Sequence, residues 1–204
     1  MKITYYGHSC FVLESGGWRV CLDPFKGVKG YADPHIGADE VFCSHDHFDH
    51  NCAEAVELSG RDPAESPFDV TEVPCWHDDV QGAKRGANVI RVFEAEGLSI
   101  AHFGDIGCEL SPEQKAVLSD LDVALVPVGG TYTLTAAQSK ALMDELQPKV
   151  VIPMHYRLGN YGFPELQTLE DFTSLCDEVV ELGSCCAELE PPLEPCTLVL
   201  AMPE

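Results

Sequence analysis

Short apolar stretches, broken by glycine, proline and charged residues, run through the chain and predict strands more often than helices. Residues 3–6 and 10–14 read as strands, Gly16-Gly17 marks a hairpin, and 19–23 form the returning strand. The run 41–44 fits a short buried strand. Residues 70–73, 88–94 and 98–103 continue the series, with a turn at Glu96-Gly97. The continuous apolar runs 123–128 and 150–154 suit strands buried on both faces. A last strand is expected at 197–200, after a turn at Pro191-Pro192.

Helices are expected between and after these strands. Ser111-Pro112-Glu113-Gln114 reads as a capping box with proline at the first helical position, opening a helix through Leu121. A second helix opens at Thr135 and stops before Pro148, and a third runs from Thr168 to about Cys176. Residues 51–58 read as a fourth. No repeat, low-complexity stretch or linker interrupts the pattern. It predicts one layered α/β domain over 1–204, β-rich at its start, with helices packed outside.

Charge narrows the partners. The 204 residues carry 12 Lys plus Arg against 34 Asp plus Glu, a net −22. Such a chain repels phosphate backbones and anionic lipid, so neither nucleic acid nor a membrane is expected as partner. No apolar run approaches the ~20 residues of a membrane span, and the opening residues lack an apolar signal core. Ten cysteines invite a disulfide reading, but Cys10, Cys21 and Cys43 fall in expected strands. They read as reduced, small apolar residues in a cytoplasmic protein. The adjacent Cys185-Cys186 cannot easily bond each other; a redox role for them is left open.

Chemistry concentrates in Ser44-His45-Asp46-His47-Phe48-Asp49-His50, directly after an expected buried strand. Such residues are costly for folding alone and belong on a loop that a rigid strand aims into a cleft. Imidazole and carboxylate are favoured ligands of zinc and similar ions. The competing reading is a solvated, acidic turn. Further candidates recur at other strand ends: His77 after Pro74-Cys75-Trp76, Asp105 after His102-Phe103-Gly104, and His155 after Pro153-Met154. A sheet sets such ends along one edge, so distant positions can converge.

The string His45-x-His47-x-Asp49-His50, followed in order by His77, Asp105 and His155, resembles the metallo-β-lactamase superfamily of metal-dependent hydrolases. Tyr6-Gly7-His8-Ser9, Leu22-Asp23-Pro24, Val126-Pro127-Val128-Gly129-Gly130 and Ile152-Pro153-Met154-His155-Tyr156 are similar to its ascorbate-6-phosphate lactonase-like branch. The resemblance covers roughly residues 1–172. It implies an αββα sandwich with two divalent ions at one edge: zinc first, with manganese, iron or nickel also suited to these ligands. One ion would take His45, His47 and His77, the other Asp49, His50 and His155, with Asp105 bridging. Asp23 either orients a ligand histidine or is a plain turn residue before Pro24. His8 resembles a histidine near the substrate pocket of that branch.

The neighbours divide. His102 is expected on the opposite face from Asp105, in a structural role. Asp46 is expected to face outward or to support a ligand. Asp33 and His35 lie on a loop (27–37) that reads as surface. Tyr132, Tyr156, Arg157 and Tyr161 adjoin the motifs, and Arg157, Lys84 and Arg85 compete as partners for an anionic substrate.

The ligand set implies hydrolysis by a metal-bridged hydroxide, with Asp49 orienting the nucleophile and relaying its proton. Asp49, Asp105 and His8 are the catalytic candidates. The expected substrate is a small ester, lactone or phosphoryl compound. Two alternatives stand beside it: a phosphodiesterase for small or lipid substrates, and an iron-dependent oxidoreductase or non-catalytic metal-binding module. Flavin-linked di-iron relatives favour glutamate at the position of His47, which speaks against that version of the oxidoreductase. The sequence does not choose between a monomer and a homo-oligomer.

Overall fold

In the computed structural model, which describes residues 1–203, two sheets face each other. The first combines β1 (Lys2–Gly7), β2 (Cys10–Ser15) and β3 (Trp18–Leu22) with two shorter strands, β5 (Glu40–Phe42) and β13 (Cys186–Glu188), in the order β13-β1-β2-β3-β5. The second holds β7 (Asp69–Trp76), β8 (Ala87–Ala95), β9 (Leu98–His102), β10 (Val123–Pro127), β11 (Val150–Met154), β12 (Val179–Leu182) and β14 (Cys196–Leu200). Its order is β12-β14-β11-β10-β9-β8-β7. A two-stranded sheet pairs β4 (Ile36–Ala38) with β6 (Val56–Leu58).

Alternation sorts the side chains into layers. Ile3, Tyr5, Phe11, Leu13, Val20 and Leu22 face the second sheet's Phe93, Ile100, Val123, Leu125, Ile152 and Met154, and together they form the inner core. The opposite face of the second sheet, with Ile90, Val92, Ala101, Ala124 and Val126, is covered by residues such as Leu118, Met143, Leu146 and Phe172. These come from α1 (Pro112–Val117), α2 (Ala136–Leu146), α3 (Leu169–Thr173) and the turns beside them. Because β10 is buried on both faces, it reads as an unbroken apolar run. All three helices begin with a reciprocal capping box: Ser111/Gln114, Thr135/Gln138 and Thr168/Asp171.

The expected sandwich is present, with its helices unevenly shared. Over the outer face of the first sheet, Cys10, Val12 and Cys21 pack against Phe25, Val28, Ile36, Ala38 and Val56. That layer is made of a loop and the β4–β6 pair. Residues 51–58, expected to be helical, instead form a short 3₁₀ turn (Ala53–Ala55) and β6. The pairing of Val56 with Ile36 across the small sheet overrides the local helical pattern. Helix α1 is shorter than expected, and β7 extends through Pro74 and Cys75 to Trp76. Strands β12 and β13 have no counterpart among the sequence-based expectations.

Strand direction sets up the site. β1 and β2, then β2 and β3, run antiparallel, whereas β3 and β5 are parallel, so β1, β3 and β5 share one direction. In the second sheet β7, β9, β10 and β11 share a direction by the same reasoning. The residues that follow the C-terminal ends of these strands therefore gather along one edge: His8, Asp23, the 44–50 loop, His77, Asp105 and His155. Bonds at this edge tie the sheets together, including His155 N–H to His8 O at 2.9 Å and Val89 N–H to Ser44 O at 3.0 Å.

Candidate metal centre

Asp105 is at the middle of the edge, 2% exposed. Its Oδ2 is 3.3 Å from each of His50 Nε2, His77 Nε2 and His155 Nε2. Around it lie two donor groups whose ligand atoms fall within 4.8 Å of one another: His45, His47 and His77 in one, His8, Asp49, His50 and His155 in the other. The structure thus brings together all the residues the sequence singled out as ligands. It also places His8 inside the second group, with Nε2 3.2 Å from Asp49 Oδ2.

The surroundings fix which nitrogens face the centre. Asp23 Oδ2 accepts from His50 Nδ1 at 2.7 Å and from the Ser44 hydroxyl at 2.5 Å, while Asp23 Oδ1 accepts from Ser44 N–H at 2.6 Å. With its own proton given to Asp23, Ser44 Oγ accepts from His45 Nδ1 at 2.9 Å. Both imidazoles thereby keep a proton on Nδ1, which leaves Nε2 as the nitrogen turned to the centre. Of the two readings of Asp23, the geometry matches the orienting one. Asn88 does the same for the Asp105 backbone: its Oδ1 accepts Asp105 N–H at 2.9 Å, and its amide donates to Phe103 O at 2.9 Å.

Among the buried polar atoms that make no hydrogen bond are four of the donor set: His45 Nε2, His50 Nε2, His155 Nε2 and Asp105 Oδ1. Orphaned donors and acceptors in a dry setting are costly, about 1–3 kcal/mol each. A cation with imidazole and carboxylate preferences satisfies them together, so the residues fit a metal.

Electrostatics agree. Burial opposes charge on Asp23, but the imidazoles of His102, His50 and His45 outweigh it and hold the carboxyl down at about 2. Burial, reinforced by the neighbouring imidazoles, pulls His8 and His45 down to about 3, although nearby carboxylates oppose it. His50 runs the other way: burial disfavours its charge, yet Asp105 and Asp23 push it well above the usual imidazole range. Asp49 and Asp105 stay below the usual carboxylate range because histidines surround them, against the effect of burial.

Backbone strain collects here. His8, Asp23 and His155 have φ of 54°, 44° and 54°, in the left-handed region that costs a non-glycine residue about 1 kcal/mol or more. Two glycines make close approach feasible. A Cβ on Gly7 would meet the Tyr31 ring at 2.3 Å, and one on Gly104 would meet Asn88 Oδ1 at 2.4 Å and Ser44 Cβ at 2.5 Å.

Above the donors opens a cleft of about 400 Å³, lined by His47, Phe48, Asp49, His77, Arg85, Asp105, Tyr132, His155, Phe163 and Glu165. Of the three candidate cations, Arg85 lines it. Lys84 pairs with exposed Asp79, and Arg157 Nε donates to Leu166 O. Tyr132 lines the cleft, whereas Tyr156 is buried in the helix-side core. His102 is structural, its Nε2 donating to Ser9 O at 2.9 Å between the sheets. Asp46 faces outward and accepts from Asn51 at 2.6 Å, and Asp33 and His35 lie on the exposed loop. All ten cysteines are free. Sequence reasoning did not assign Ser44 and Asn88; Ser44 stood next to the histidine string, but nothing local marked Asn88.

Comparison with known proteins agrees with this geometry. Residues 2–155 match the family described as Beta-lactamase superfamily domain. A UPF0173 metal-dependent hydrolase of Archaeoglobus fulgidus is 31% identical over 194 residues, covering 76% of this chain and 83% of its own. Another, from Methanopyrus kandleri, is 29% identical, covering 90% and 93%. A solved Thermotoga maritima protein, named for Zn-dependent hydrolysis in the metallo-β-lactamase superfamily, superposes with a TM-score of 0.78 at 35% identity. That match covers 98% of this chain and 97% of the other.

Proposed function

The chain belongs to the metallo-β-lactamase superfamily of metal-dependent hydrolases, and on that premise we propose that it hydrolyses a small ester, lactone or phosphoryl compound at a centre of two divalent ions. His45, His47 and His77 would hold one ion and Asp49, His50 and His155 the other, with Asp105 available to both. The observation that carries this reading is a set of buried atoms that make no hydrogen bond, His45 Nε2, His50 Nε2, His155 Nε2 and Asp105 Oδ1, within the two donor groups around Asp105. Zinc is the first expectation, supported by the name of the Thermotoga maritima protein.

When bound, such ions supply a Lewis acid and lower the pKa of water towards ~7. The chain's own residues do the rest. Asp49, which lines the cleft, takes the proton of the attacking water and returns it to the leaving group. His8 donates to Asp49 Oδ2 at 3.2 Å and holds that carboxylate in place. Asp23 and Ser44 keep His50 and His45 in the liganding tautomer. Phe48, Tyr132 and Phe163 flank the substrate and shed water from it.

The net charge of −22 supports a small-molecule partner over nucleic acid or a membrane. Free cysteines support a reducing, cytoplasmic setting. The test is a panel of esters, lactones and phosphodiesters with metal-loaded protein and His45→Ala as control. Metal-dependent turnover that falls by about 10³-fold or more in the variant is expected. Equal turnover by both proteins would overturn the reading.

A further inference from the structure

Arg85 is the only lysine or arginine among the described residues that line the cleft. In a chain with 34 acidic and 12 basic residues, free cations are scarce. Even so, among the described residues no carboxylate comes within ion-pair distance of its guanidinium. Arg19, Arg61 and Arg91 all have acidic partners. One Arg85 NH2 donates to Thr131 O at 3.1 Å, and the guanidinium carbon sits 5.5 Å from the centroid of the Tyr132 ring. Most of its five donors have no protein acceptor.

The scaffold around Arg85 is built to hold it there. The Asp78 carboxylate accepts four backbone N–H bonds, from Val80, Gly82, Lys84 and Arg85, at 2.7–3.0 Å. This fixes the loop directly after His77. Beside it, Thr131 has φ 56°, a strained value for a β-branched residue. Its hydroxyl donates to Glu165 O at 2.7 Å, while the Tyr132 hydroxyl bonds the Glu165 carboxylate. The clamp turns the Thr131 carbonyl to Arg85, sets the Tyr132 ring beside it and engages the Glu165 carboxylate.

We propose that Arg85 is the specificity-determining residue of this cleft, seating an oxyanion group of the substrate, carboxylate or phosphate, away from the bond that is broken. A guanidinium fork matches either group with two parallel hydrogen bonds, and stacking on Tyr132 leaves its edge free to make them. The aromatic walls of Phe48, Tyr132 and Phe163 take the segment between the anion and the reacting centre. This proposal rests on the hydrolase reading for the reaction, but not for the binding.

Two measurements on metal-loaded protein test it, each with wild type, Arg85→Gln and Arg85→Lys, after matching metal content and melting temperature. The first is calorimetric titration with phenylphosphonate, benzoate and neutral benzamide. The two anions should bind wild type and weaken about 10- to 100-fold in Arg85→Gln, with Arg85→Lys between. The larger loss identifies phosphate or carboxylate as the group read. The second compares kcat/KM for an aryl ester carrying a free carboxylate with that for its neutral analogue. The anionic-to-neutral ratio should fall by a similar factor in Arg85→Gln, mainly through KM. Unchanged anion affinity, no anion binding to wild type, or an unchanged ratio would overturn the proposal. Arg85-dependent anion binding without turnover of any ester, lactone or phosphodiester would sink the hydrolase reading and leave the subsite standing.

Discussion

Asp23 Oδ2 lies 2.7 Å from His50 Nδ1, and the same oxygen receives the Ser44 hydroxyl that in turn supports His45. One buried carboxylate, itself outside the donor groups built around His47 and Asp49, therefore sets the tautomer of a histidine in each half of the centre. Asp23→Ala should weaken divalent-ion affinity by about 10- to 100-fold. A competition titration against a chromogenic chelator measures this, with circular dichroism checking the fold. Undiminished affinity would show that the histidines orient themselves.

Gly104 is the second lever. Its φ is 53°, and an added Cβ would stand 2.4 Å from Asn88 Oδ1 and 2.5 Å from Ser44 Cβ. Gly104→Ala should cost about 2 kcal/mol or more in unfolding free energy, from strain and forced movement of packed neighbours. It should also reduce metal affinity, because Ser44 and Asp105 shift together. Denaturant melts read the first effect and chelator competition the second.

Acid should act on the centre in two ways. Protons compete with cations for the imidazole nitrogens, so apparent metal affinity falls as pH drops. In chelated protein, His8 and His45 are pulled from 6.5 to about 3 in the fold. Their contribution is complete above 6.5 and is lost as pH falls towards 3. Asp23 adds a loss below 3.8, as pH approaches about 2. The raised pKa of His50 works oppositely, favouring the fold below 6.5. Below 6.5 the His50 contribution is already complete and adds no slope, so melting temperature of the chelated protein should decline from pH 6.5 to 3. A rise over that interval would contradict this balance.

The donors were readable in the sequence because histidine and aspartate are rarely clustered without chemical cause, and because they follow strand-like runs. The supporting residues were not. Ser44 and Asn88 belong to common types, and their roles arise only when β5, β8 and β9 bring Asp23, His45 and Asp105 beside them. Residues 51–58 misled because their partner, Ile36–Ala38, is remote in sequence, and pairing across that distance leaves no local trace. The four-residue β12 is half-exposed and on a sheet edge, where packing leaves little pattern to see. Arg85 could be named but not chosen over Lys84, since adjacent residues in an irregular loop have no period to say which enters the cleft.

The most direct measurement is elemental analysis of purified protein, in molar equivalents per chain, for wild type, His47→Ala and His155→Ala. Two equivalents of divalent metal in wild type and about one in each variant are expected, because each substitution removes a ligand from one half of the centre. One equivalent or fewer in metal-replete wild type would contradict the dinuclear account.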